Sequence, residues 1–297
     1  MLRRRSIREY NEGMNQDDLN LYTDYLSVTF GAATATGLSE LLDGEISPDQ
    51  FTRFLGREEF TSKDWWKPVK PTVRKVERDD GRLIFDETIA EKAWMDENEL
   101  RAWHYDPSKG RNVKGINLLN CLYPVRGVSI PVALELVRKP SRYCEVKTKR
   151  EKRCREVTKN ELMRELMDNC VKTQLPFNWV LFEIGFGSVE NREHIKLKHG
   201  KDFVGAITSH RLVALTEEDR KTGCFIRVEP IEWSEPQVIT AWLKGLSFPV
   251  RLRSQVFTNQ DGSVGILHLA SSQLTSDWDT ITTIYQKRGK VEVFHNS

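Results

Sequence analysis

Arg82-Leu83-Ile84-Phe85-Asp86 is a short apolar run that ends on a carboxylate, and Phe177-Asn178-Trp179-Val180-Leu181-Phe182-Glu183 is another. Runs of this length and composition predict buried strands. Between them, Ile116–Val125 and Val128–Val137 predict two more strands, joined by a tight turn at Arg126-Gly127. Thr158-Lys159-Asn160-Glu161 fits a capping box that opens a helix with Leu162, Met163, Leu166, Cys170 and Val171 on its apolar face. Residues 189–199 predict a second helix, and Phe203–Ile207 a fifth strand. Three strands, helix, strand, helix, strand predicts a mixed sheet flanked by helices, with the first and fourth strands side by side. Asp86 and Glu183 then converge.

Outward from this core, residues 1–75 read as a helical N-terminal region. Leu19, Leu21, Tyr22, Tyr25 and Leu26 recur at helical spacing, and Leu38, Leu41 and Leu42 mark a short helix. Ser47-Pro48-Asp49 predicts a restart, with Ser47 as the cap. Such short helices fit a DNA-docking helix-turn-helix or a plain helical bundle. Pro68 and Pro71 read as a linker that closes this region. The core is expected over 76–209 and a β-rich stretch over 210–275. A last helix is expected from Asp277 to His295, capped by Ser276, with Ile281, Ile284, Tyr285, Arg288 and Glu292 on one side.

The 297 residues are 39% hydrophobic and 30% charged, enough for one large or two modest cores, and the net charge is only +2. A nucleic-acid partner must therefore be met by local clusters. One cluster holds Arg138, Lys139, Arg142, Lys147, Lys149, Arg150, Lys152, Arg153 and Arg155; it fits DNA or a solvated loop. Five cysteines without a CxxC pair argue against a disulfide framework or zinc ribbon and fit a reducing cytoplasm. No apolar run is long enough to span a bilayer, so no membrane partner is expected.

Three convergent carboxylates, Asp86, Glu183 and Glu292, would suit two hard divalent cations, Mg²⁺ or Mn²⁺. The sequence resembles the insertion-sequence DDE transposases of the Tyr-x2-Arg-x3-Glu group, through Tyr285, Arg288 and Glu292 at the required spacing. Ile84–Thr88, Trp103–Gly110 and Val113–Leu119 match further family blocks in order. The resemblance implies a ribonuclease-H-like α/β core with a β-rich insertion and a helical N-terminal domain. It implies metal-dependent hydrolysis and strand transfer on double-stranded DNA, at element terminal repeats and target, by a nucleoid-associated homodimer. In this reading Tyr285 and Arg288 contact DNA phosphate. Lys109 and Arg111, after the Trp103-His104-Tyr105 run, are further DNA-binding candidates, though a packed loop fits that run as well.

Three departures predict impaired chemistry. Glu183 stands where the family has Asp, and one methylene moves a carboxylate by about 1.5 Å. Gly185 and Gly289 stand where tryptophans are usual, and Gly289 falls inside the expected last helix. The sequence ends at Ser297, before the signature's closing lysine, which reads as a C-terminally truncated copy. A non-catalytic DNA-binding remnant is the alternative function, and a stand-alone nuclease a third.

Overall fold

The computed structural model describes residues 16–29, 33–56, 61–147, 149–234, 236–258 and 262–289. Expectations for Glu292 and His295 fall outside these residues. Two compact units divide at Phe60/Thr61.

The first unit holds α1 (Gln16–Val28), α2 (Ala35–Leu41) and α3 (Pro48–Gly56). Tyr25, Leu38 and Phe51 form its small buried cluster. Thr34 caps α2, its side chain accepting from the Gly37 amide. The Ser47 signal works as read. Ser47 Oγ accepts from the Gln50 amide at 3.3 Å, and Gln50 Oε1 accepts from the Ser47 amide at 2.8 Å.

The second unit opens with α4 (Ser62–Val76), which corrects the linker reading, because Pro68 and Pro71 lie inside a helix. Asp64 accepts from Thr61 N and Oγ1 at 3.2 and 2.7 Å and fixes the first turn. Trp66, Val69, Val73 and Val76 then pack on the core. The prolines sit three apart on the exposed side, where water can reach the carbonyls their missing N–H groups leave open. Tertiary packing outweighs the local cost.

Next come β1 (Arg82–Glu91), β2 (Arg101–Asp106), β3 (Arg111–Val125) and β4 (Val128–Leu136). Arg126 and Gly127 take positive φ values of 48° and 87° in the β3–β4 turn, as the twist of a two-residue hairpin requires. The strand β2 was not expected. In it Ala102 and His104 are buried while Trp103 and Tyr105 are exposed, a period-two alternation in place of a loop. The basic cluster folds as a separate hairpin, β5 (Ser141–Glu145) with β6 (Arg150–Cys154).

The helix α5 (Lys159–Lys172) opens on the expected box, with Thr158 and Glu161 bonded reciprocally. It is followed by β7 (Trp179–Phe182), a 3₁₀ turn (Ile184–Phe186), α6 (Val189–Glu193), a π turn (His194–Lys198) and β8 (Asp202–Ile207). After them come β9 (Leu212–Ala214), α7 (Glu217–Thr222), β10 (Ile226–Arg227), β11 (Ile239–Leu243), β12 (Val250–Thr258), β13 (Val264–Ser271) and α8 (Trp278–Gly289).

Among the described residues these strands form an eleven-stranded sheet, ordered β10-β9-β11-β12-β13-β8-β7-β1-β3-β2, with β4 also on β3. β1, β7 and β8 run parallel, while β3 is antiparallel to β1, and β13 to β8. A mixed sheet with helices on its faces is consistent with the ribonuclease-H-like core that the resemblance implies. The strands of 210–275 continue this sheet. One face carries a large core under α4 and α5; the other carries Ile84, Leu122, Leu181, Val204 and Leu269 under Ile281 and Ile284 of α8.

Candidate active site

Phe85 of β1 pairs with Phe182 of β7, and there the parallel ladder ends. The next residue on each strand is an acid. Asp86 therefore does not end its strand as expected: β1 runs on to Glu91, paired with β3 alone. The place is still the carboxyl end of the parallel pair, where diverging chains open a crevice. Strand alternation puts Asp86 on the face of Ile84, and Glu183 on that of Leu181, both under α8.

From α8, Arg288 reaches both acids. Its Nη2 lies 3.4 Å from Asp86 Oδ1 and pairs with Glu183 Oε1. The Asp86 and Arg288 side chains are buried to within 8% and 13% exposure, and Glu183 is more open at 36%. A guanidinium with two acids in one crevice satisfies charges that would be costly alone. Tyr285, one turn back, is half-buried against the α8 cluster, with its ring 6.0 Å from the Arg288 guanidinium. Among the sequence candidates, Asp86, Glu183, Arg288 and Tyr285 thus come together.

Lys109 and Arg111 sit elsewhere. Both are exposed at the β2–β3 turn and pair with Glu91, at 2.5 and 3.4 Å. Pairing does not remove their exposure, although Glu91 and Asp106 balance the two positive charges.

Several positioning residues were missed from sequence. Asn120 lies directly across from Asp86 on β3, and its buried Nδ2 has no hydrogen-bond partner among the described residues. Asn120 thus adds an amide group on the Asp86 side of the sheet, next to the acids. The turn after Glu183 is held from α6. Asn191 Nδ2 donates to Phe186 O at 2.9 Å and Asn160 Oδ1 at 2.8 Å, while its Oδ1 accepts from Arg164 at 2.7 Å. Arg192 donates to Gly187 O and stacks near Phe182 and Phe203, at 5.6 and 5.7 Å. Burial pulls its guanidinium well below the usual arginine range. A Cβ on Gly185 would meet open space, so nothing in the turn itself excludes a larger side chain there.

The start of α8 is fixed from β12. Arg253, fully buried, donates to Trp278 O at 3.0 Å and stacks on that indole at 3.2 Å. The helix cap is Asp277, whose Oδ1 accepts from the Thr280 amide at 2.8 Å. Ser276, the expected cap, bonds Gln273 Oε1 at 2.8 Å, which withdraws its hydroxyl from the helix end.

Behind the acids, on the opposite face of β1, Glu87 accepts from Lys159 at 2.5 Å and Asn117 at 2.9 Å. Asn117 in turn approaches His104 Nδ1 at 3.5 Å. Burial, with Lys139, Lys159 and Arg155 nearby, lowers His104 to about 4.

Asp86 and Glu183 thus meet just beyond the last pair of the β1–β7 ladder, under the helix that carries Arg288. A family model described as DDE superfamily endonuclease matches residues 10–241, and the chain belongs to that family, which comprises transposase-type nucleases. The matched span includes Asp86 and Glu183. No individual curated protein matches the chain.

Proposed function

We propose that this chain is a DDE transposase that cuts and joins double-stranded DNA at element ends, with Asp86, Glu183 and Glu292 as its carboxylates. The meeting of Asp86 and Glu183 around the Arg288 cation carries this reading. The donor set fits Mg²⁺ or Mn²⁺, because both ligands are hard oxygens and a positive charge already lies between them. When bound, a pair of such ions activates the attacking oxygen and stabilises the leaving one. The protein's own part is to hold the two carboxylates together at the carboxyl end of the parallel pair, with Arg288 as the cation that a metal would have to displace. Arg288 must leave the acids as DNA arrives. Its planar fork then suits one phosphate bidentately, beside Tyr285.

We read the helical N-terminal region, the β5–β6 hairpin and the Lys109–Arg111 tip as DNA-contacting surfaces, with a homodimer spanning two ends. In this reading the catalytic core is 76–209, with α4 packed against it, the insertion is 210–275, and 276–297 brings the third acid. Glu183 in place of Asp supports impaired chemistry, since a displacement near 1 Å can cost about a hundredfold in rate. Its ion pair with Arg288 supports the second reading, a DNA-binding remnant that keeps the surface and has lost the reaction.

Plasmid carrying the DNA that flanks this gene, incubated with the protein and Mg²⁺ or Mn²⁺, separates the two. Metal-dependent nicking that Asp86→Asn abolishes supports the transposase. Retention of the DNA on a gel without any nicking supports the remnant, and neither binding nor nicking removes both.

A further inference from the structure

Far from the acids, three ligand-type side chains meet on α5 and the π turn. Asp168 Oδ1 accepts from His194 Nε2 at 2.7 Å and from His199 Nε2 at 2.6 Å. The two rings stand edge to face with centroids 4.9 Å apart. Among the described residues this is the one cluster whose His, Cys, Asp or Glu ligand atoms all lie within 4.8 Å of one another.

The backbone is what makes it possible. In an α-helix, residues five apart point roughly 140° away from each other. Residues 194–198 form a π turn, whose i→i+5 closure stacks His194 over His199 on one side. A π turn is rare and commonly marks a functional site. All three side chains are largely enclosed, the imidazoles at 12% exposure and Asp168 at 26%. An entry path exists, because His194 borders a groove it shares with Arg164, Glu190, Glu193, Leu197 and Lys198.

We propose that Asp168, His194 and His199 form a transition-metal site of the Zn²⁺ type, completed by water and separate from the nuclease crevice. Two imidazoles and one carboxylate are a usual zinc donor set with one position left open. Two N–H groups aimed at one oxygen are the protonated counterpart of a single ion among three ligands. Opening the N···O separations to the roughly 3.3 Å expected around bonds near 2 Å needs shifts of about 0.6 Å. Lys198 donates to Asp168 Oδ2 at 2.8 Å and stands as the charge an incoming cation must offset.

The site lies away from the acids. His199 precedes the first residues of β8, whereas Glu183 follows the last residue of the parallel β7. The two are at opposite ends of those strands, and α5 and α8 cover opposite faces. Zinc here would pin the π turn to α5 and so brace the crossover that leads from Glu183 to β8.

The test uses the full chain carrying Asp86→Asn, so that the crevice contributes least, titrated with Co²⁺ and then competed with Zn²⁺. We expect one equivalent of Co²⁺ with the strong visible absorption of a low-symmetry histidine site, displaced stoichiometrically by Zn²⁺. His194→Ala with His199→Ala should weaken binding at least a hundredfold. Lys198→Ala keeps all three ligands and should bind several-fold tighter, which covers the case in which the double variant does not fold. No stoichiometric absorption in the parent, absorption that survives the double variant, or weaker binding by Lys198→Ala would each overturn the site. None of these outcomes depends on nicking, so the nuclease reading stands or falls separately.

Discussion

Arg288 Nη2 lies 3.4 Å from Asp86 Oδ1, across 202 positions of sequence, and the same guanidinium pairs with Glu183. Removing it leaves two acids facing each other in a partly closed crevice. Arg288→Ala is expected to destabilise the protein by about 3 kcal/mol, the lower end for breaking a buried pair, because Glu183 keeps contact with water. Millimolar Mg²⁺ should restore part of that loss and should shift the melting temperature of the variant more than that of the parent. Thermal melts with and without Mg²⁺ check this; equal shifts in the two proteins would argue against a shared cation position.

Glu183→Asp withdraws the carboxylate by one methylene and loosens its contact with Arg288. Metal-dependent nicking is expected to rise by up to about a hundredfold. Single-turnover assays on the plasmid substrate measure it, and an unchanged rate would mean that residue 183 does not limit the chemistry.

Asn191→Leu removes the donor to Phe186 O and leaves that carbonyl and Asn160 without it. A cost of about 2–3 kcal/mol follows from stranding buried polar groups. Amide exchange should accelerate first over 183–187, because the turn is held from this side chain. Uniform acceleration across the sheet would contradict a local anchor.

His104 is lowered by burial, and by Lys139, Lys159 and Arg155, from an ordinary 6.5 to about 4. The native state then binds fewer protons than the unfolded chain at every pH between those values. Stability present above about 6.5 is therefore lost as pH falls toward 4. His194 and His268 are lowered as well and add to the same loss. Urea midpoints at pH 7 and pH 4.5 should fall less for His104→Asn than for the parent, and identical falls would rule out a contribution from His104.

Pro68→Ala restores a helical N–H on the exposed side of α4, where Asp64 O can accept it. Stabilisation of about 1–3 kcal/mol is expected by chemical denaturation. A loss instead would mean that the ring packs in a way its exposure does not suggest.

The core strands were legible because each is a short Ile/Val/Leu/Phe run between turn signals, and α5 because its capping box is local chemistry. β2 escaped because Trp103 and Tyr105 point to solvent, which hides a strand behind aromatic residues. The prolines of α4 misled because propensity carries no information about Trp66 and Val73 packing on the sheet. For the crevice, the strand order already brought Asp86 toward Glu183. Nothing near Arg288 in sequence says that its nearest described carboxylates are those acids, since that depends on how α8 lies over a sheet built earlier in the chain. Asp168, His194 and His199 were invisible for a similar reason: a five-residue histidine spacing becomes a shared side only where the helix widens.

The ladder from β8 to β13 has a further result. The strands of 210–271 cannot be excised or exchanged as a cassette, because cutting them away would expose the β8 edge and release the Arg253 clamp on Trp278 at once. Arg253 thereby ties the outer strands to the first residue of α8, the helix whose far end brings Arg288 to Asp86 and Glu183.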